Sequence, residues 1–400
     1  MSLSLAALFA ATFLELSGLF LFGPLLSFML SARGLDTAAV GGFAALQWLG
    51  LLLATPFAGR WVQLLGPRRA LLASGAVPLV ALAGMQLSDA LPLWAVLYGV
   101  AGMASALRWI LAEATVAEQA GPAHRGRFMG LFAMMIGLTF MVGPALLAAL
   151  LAAAWGQRAI AWVAVGLVGA GLLALLPVRL AGQGAGLAGD PSGAAAPSAA
   201  VPGGLDAPGW RSLWPALQAA PLVMLGGLVG GFFEAGLAGV LPLYGLGAGF
   251  TAAASALLVS ASGLGSTLLP LPLGELADRL PRAAVRQACM GVALGSGLGL
   301  ALAPLLGSWA QPVAAVCAGL CGGAGAALYT LAMVEIGHQH QGLALVNSTS
   351  VLVLAYTLGG LLAPALGGLV LQAAPLPAFG VMLAGVAAAG LLALRWRSRA

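Results

Sequence analysis

The sequence predicts an all-α membrane protein of twelve transmembrane helices in two six-helix bundles, and three observations carry that reading. Only 7% of the 400 residues are charged and 61% are hydrophobic, with a mean hydropathy of +1.04; soluble domains carry about 25% charged residues. Apolar runs of about 20 residues, the length that crosses ~30 Å of hydrocarbon, alternate along the whole chain with short turn and charge clusters. Two isolated carboxylates, Glu15 in FLELSGLFLFGPLLSF and Glu234 in FFEAGLAGVLPLYG, sit in matching contexts of aromatic residues, glycines and a following proline, which suggests a duplicated structure.

In chain order the first six spans are expected at 5–30, 38–60, 69–88, 92–117, 128–152 and 159–179. The opening MSLSLAALFA lacks a basic region and a small-residue cleavage site, so it reads as a retained first helix. The stretch 181–209, rich in Gly, Ala, Pro and Ser and without apolar periodicity, reads as a flexible linker. Six more spans follow at 216–245, 251–273, 284–307, 311–335, 343–371 and 375–394, so the expected units are 1–180, a linker 181–212, and 213–400. A β-barrel would need alternating segments of ~10 residues, and none is present.

The arginines orient the chain. Arg60, Arg68, Arg69, Arg125, Arg127, Arg179, Arg211, Arg279, Arg282, Arg286, Arg395, Arg397 and Arg399 fall on the side of the termini, whereas only Arg33 and Arg158 fall in the opposite loops. The positive-inside rule then puts both termini in the cytoplasm. Basic residues scattered in short clusters between apolar runs give no argument for nucleic acid. Cys289, Cys317 and Cys321 lie in apolar segments and read as small buried helix residues rather than disulfides or metal ligands.

The loop after the second span of each half carries related residues. In the second half GELADRLPR holds Gly274, Asp278, Arg279 and Arg282. In the first, GRWVQLLGPRR holds Gly59, Gly66, Arg68 and Arg69, with Gln63 and Leu64 where the acid and its arginine would stand. The second-half loop resembles the G-x-x-x-D-R-x-G-R loop of the major facilitator superfamily, with Pro281 in place of the second glycine. The fifth span, with Gly137, Gly143 and Pro144, resembles the glycine-proline motif of that superfamily's drug/proton antiporters, and Gly359, Gly360, Pro364, Gly367 and Gly368 form its second-half counterpart. Stretches 108–127 and 327–364 are similar to bacterial members of the YcaD type.

The resemblance implies two bundles related by a pseudo-two-fold axis, each made of inverted three-helix repeats. It also implies a central cavity lined by the first, fourth, seventh and tenth helices, and rocking between two access states. In that family the loop acid and arginines brace helix ends across the halves; here that role is expected of Asp278 more than of Gln63. Each proline frees a carbonyl four residues earlier, at Phe140 or Gly360, and bends its helix.

The helices assigned to the cavity hold nearly all the intramembrane charge: Glu15, Arg108, Glu113, Glu234 and Glu335, together with Tyr329. At ~1.5 Å per residue Glu15 lies about 15 Å into the bilayer, where a charge is expensive and functional by default. Glu15 and Glu234 are expected to face one another across the cavity and to carry a proton, because desolvation disfavours the anion. Arg108 either faces the cavity, favouring an anionic substrate, or snorkels to the headgroups. Glu113, Glu118 and Glu335 read as loop-anchoring charges, and His338 and His340 as loop residues.

No phosphate-cradling loop, H-E-x-x-H or soluble catalytic domain is visible, so neither ATP hydrolysis nor an enzyme is indicated. The expectation is a monomeric, proton-coupled secondary transporter of the bacterial inner membrane that exports a small organic solute, without a cofactor. An importer or facilitator of a small metabolite, or a sensor on the same fold that has lost transport, are the alternatives.

Overall fold

The protein is described by a computed structural model covering residues 3–119, 121–178, 215, 217, 218, 220–340 and 342–397. The expected linker 181–212 lies outside these residues, as do Arg179, Arg211 and Arg399 and the side chains of Arg125 and Arg397. The described residues form twelve membrane-length helical segments: α1 (Leu3–Ala32), α2 (Thr37–Leu65), α3 (Pro67–Leu87), α4 (Leu91–Val116), α5 (Arg127–Ala152), α6 (Gln157–Leu175), α7 (Pro221–Gly239), α8 (Ala252–Arg279), α9 (Arg282–Leu305), α10 (Gly307–Gln339), α11 (Asn347–Ala373) and α12 (Pro377–Trp396). Each overlaps the run read from hydropathy.

Local chemistry sets the ends. Asp36 caps α2 by accepting the Ala39 N–H at 2.7 Å, and Thr251 caps α8 by accepting that of Ala254 at 3.2 Å. Gly66, one of the loop-motif glycines, separates α2 from α3 at φ 78°, a left-handed conformation that disfavours any residue with a Cβ. The α10 helix runs on to Gln339, so His338 sits on its last turn rather than in a loop.

The seventh segment departs from expectation. Instead of one helix over 216–245, the chain forms a helix Pro221–Glu234, a 3₁₀ turn Gly236–Gly239 and a short helix Leu241–Gly247. Gly236 and Gly239 weaken the helix there, and Pro242 lacks the N–H that would continue it. Its counterpart Pro24 lies inside an unbroken α1. The break falls directly after Glu234.

Packing repeats with a shift of six segments. The pairs α1–α5, α1–α6, α2–α4, α3–α4 and α3–α6 recur as α7–α11, α7–α12, α8–α10, α9–α10 and α9–α12. Two main pairings join the halves, α2–α11 and α5–α8, and the same shift relates them. One pair breaks the symmetry: α7 lies closely along α10, whereas α1 and α4 touch little. Glycines explain the first, since a Cβ at Gly230 would meet Gly325 O at 2.9 Å and one at Gly325 would meet Glu234 N at 2.7 Å. Such small-residue faces supply close packing where lipid removes the hydrophobic drive between helices.

The halves are tied together on the side away from the arginine-rich loops. Ser27 Oγ donates to Gly239 O at 3.1 Å, Thr37 Oγ1 to Gly368 O at 3.0 Å, Ala38 N to Gln372 Oε1 at 3.3 Å, and Gln372 Nε2 to Asp36 Oδ2 at 3.2 Å. Toward the arginine-rich side α2 parts from α7 and α11, leaving an apolar groove of about 520 Å³ lined by residues such as Leu52, Phe57, Leu228 and Leu358. The two arginines of the opposite loops are used locally. Arg33 pairs with Asp89 at 2.8 Å and lies 4.0 Å over the Trp94 ring, and Arg158 donates to Gln86 O at 2.9 Å.

Candidate functional site

Glu15 enters the first bundle from α1, and a Cβ added to Gly171 of α6 would lie 3.0 Å from its Cβ. Arg108 reaches it from α4, with Nη2 3.1 Å from Glu15 Oε2 and 3.4 Å from Thr12 Oγ1. Both are buried, at 1% and 3% exposure. Both Glu15 oxygens, and Arg108 Nε and Nη1, lack hydrogen bonds. The pair bridges α1 and α4, and Glu15 Oε2 also faces Gly75 of α3.

This revises two expectations. Arg108 neither snorkels nor waits unpaired in a cavity; it is the counterion of Glu15. Glu15 and Glu234 are engaged separately, each within its own half, because Glu234 Oε2 accepts the Tyr356 hydroxyl at 3.1 Å. Such a buried ion pair with unused lone pairs is a poor source of stability, since desolvation offsets its attraction.

A second constellation lies where the halves meet. Tyr329 and Tyr356 have ring centroids 4.7 Å apart, and Tyr356 stands edge-on to Trp109 at 6.0 Å and to Trp48 at 6.4 Å. Trp109 Nε1 donates to Glu113 Oε1 at 2.7 Å. Glu113 is therefore not a loop anchor but part of this cluster. Sequence reading missed Trp48, Trp109 and Tyr356. The i,i+4 spacing of Trp109 and Glu113 was a usable signal, but nothing local ties them to Tyr356. Glu335, also read as a loop anchor, pairs with the buried Arg286 of α9 and accepts Gln339 Nε2 at 3.1 Å.

The motif residues are packing and loop positions in this conformation. Gly143 lies against the α1 backbone between Ser17 and Leu21, and Gly137 against Ser266 and Thr267 of α8. The Phe140 carbonyl, four residues before Pro144, sits against Gly263, and the Gly360 carbonyl, four before Pro364, faces Gly236. Gly360 also packs on Trp48 and Pro364 against Gly41 and Gly239. Gly59 and Gly274 have open space around them, and Arg69, Asp278 and Arg279 are exposed. Arg68 donates to Leu176 O at 3.3 Å; neither Asp278 nor Arg282 forms an ion pair among the described residues. Among the described residues these loops form no ion pair across the halves.

A family model of the Major Facilitator Superfamily matches residues 8–353. An uncharacterized MFS-type transporter of Yersinia pseudotuberculosis is 29% identical over 95% of this chain and 94% of its own. The uncharacterized MFS-type transporter YcaD of Salmonella newport is 26% identical over 86% and 82%. Among solved structures, the nucleoside transporter NupG superposes with a TM-score of 0.72 at 13% identity, covering 99% of this chain and 98% of that one. A bacterial homologue of the lysosomal transporter Spinster, inward-facing and unoccupied, gives 0.70 at 16% identity, over 98% and 96%. With twelve membrane-length helices, a pairing pattern that repeats after six, and a family match over most of its length, the chain belongs to the major facilitator superfamily and is a multi-pass membrane transporter of that type.

Proposed function

We propose that the protein is a proton-coupled secondary transporter of the inner membrane that exports a small organic solute by alternating access. One observation carries the coupling: Glu15 and Arg108 form a buried ion pair whose remaining polar atoms are unsatisfied. Protonation of Glu15 removes its attraction to Arg108, and the freed guanidinium then favours a rearranged α1–α4 contact. Because α1 packs on α5 and α5 on α8 of the other half, a shift of α1 reaches the surface on which the halves rock. The likeness of the fifth-helix glycine-proline pattern to the drug/proton antiporters supports export. Without a nucleotide-binding loop in the sequence, the energy source is an ion or substrate gradient.

Proteoliposomes carrying the protein test this with a panel of organic solutes, with and without a pH gradient. Glu15→Gln is expected to abolish accumulation driven by the gradient while leaving solute counterflow, which needs rocking but no net proton movement. Uphill transport by Glu15→Gln with an unchanged pH profile overturns the coupling role.

A further inference from the structure

The aromatic–carboxylate constellation between the halves has a chemistry of its own. Trp48 from α2, Trp109 and Glu113 from α4, Glu234 from the break in α7, Tyr329 from α10 and Tyr356 from α11 converge there. The interplanar angles of Tyr356 to Trp109 (88°) and Trp48 (70°) set these rings edge-to-face around Tyr356 rather than in a stack. All but Tyr356 are only half-buried, so this is a lined surface rather than sealed core.

The charge balance is one-sided. Glu113 and Glu234 each accept one hydrogen bond from an aromatic partner, on Oε1 and Oε2 respectively, and the other oxygen of each has no donor among the described residues. Neither forms an ion pair among the described residues. The arginine nearest in sequence, Arg108, is turned about 100° from Trp109 on the helix and is engaged with Glu15. Carboxylates removed from bulk water call for a cation, and aromatic faces hold organic cations through their quadrupoles. An anionic ligand would meet two acids, with no arginine paired to either among the described residues.

The apolar groove adjoins this cluster. Leu52 is one turn beyond Trp48 on α2, and Ala355 precedes Tyr356 on α11, and both line the groove of about 520 Å³. That volume is within the range of sites for drug-sized ligands. We propose that this cluster is the substrate site and that it takes an organic cation with an apolar body, the charge lying between Glu113 and Glu234 and the body against the aromatic rings. This assignment rests on the reading of the chain as a transporter of small organic solutes.

Equilibrium binding of radiolabelled tetraphenylphosphonium to the purified full-length protein tests it, with tetraphenylborate as an anion of matched size and shape. With the two ions measured in separate samples, saturable binding of the cation and none of the anion is expected. The combined Glu113→Gln and Glu234→Gln substitutions should weaken it tenfold or more, and Trp109→Leu should weaken it with both carboxylates intact. Saturable binding of the anion with equal affinity in the unaltered protein, or cation affinity unchanged in the paired glutamine variant, overturns the proposal. The measurement uses no gradient, so its failure is distinct from failure of the coupling role of Glu15, which is read only in transport.

Discussion

Arg108 shows how much a single residue's meaning depends on what faces it. Read along the chain, it is a guanidinium inside a 26-residue apolar segment; in the fold it is half of a buried pair, and the energetics follow from the pair. Removing one partner leaves an uncompensated buried charge, which typically costs ~3–5 kcal/mol, whereas replacing both by apolar groups is often neutral. Arg108→Leu alone should therefore lower the thermal unfolding temperature of the detergent-solubilised protein markedly, and Glu15→Leu combined with Arg108→Leu should recover most of the loss. A double variant as unstable as the single one would show that the two do not act as a pair. Intramembrane charge was legible in the sequence because a charge in hydrocarbon is rare. Its partner was not, because helical periodicity relates residues within one helix and Glu15 belongs to another.

Among the elements, α2 and α11 decide which side is closed. Their contact through Asp36, Thr37, Gly368 and Gln372 holds the halves together at the loops opposite the arginine-rich side. If the molecule works by rocking, this contact must open in each cycle. Asp36→Cys with Gln372→Cys, joined by a short bismaleimide after Cys289, Cys317 and Cys321 are replaced by alanine, should stop turnover and leave tetraphenylphosphonium binding intact. Transport at the full rate after cross-linking would show that the contact is not a gate. The break in α7 belongs to the same scale. Its residues, glycines and Pro242, were visible in the sequence, but similar punctuation around Pro24 leaves α1 whole. Neighbours arbitrate: Gly236 packs against Ala363 and the Gly360 carbonyl, and Gly239 against Ala44 and Pro364.

For the whole molecule, the twelve spans among the described residues put the two ends of the described chain on one side, and the arginine distribution predicts that this side is the cytoplasm. Cysteines introduced at exposed Asp89 or Trp155 should react with an impermeant maleimide added outside intact cells, and those at exposed Gln63 or Asp278 only after the membrane is opened. Labelling of Asp278→Cys from outside would invert the orientation. The groove between α2, α7 and α11 lies toward the Gln63 end of α2, so the same experiment decides in which half of the membrane it sits.

Composition, segment lengths and charge placement were enough by themselves to determine an all-helical membrane protein of twelve spans. Each of those quantities is fixed by the cost of exposing charge or backbone to hydrocarbon, a cost paid locally along the chain. The duplication was legible for the same reason, since both halves solve that problem with similar residues. The tertiary structure alone decided that Glu15 belongs to Arg108 rather than to Glu234, that Glu113 belongs to an aromatic cluster, and that α7 breaks where α1 does not. These outcomes depend on which faces of separate helices meet, and close approach is settled by small residues such as Gly230, Gly263 and Gly325 acting on partners far away in sequence.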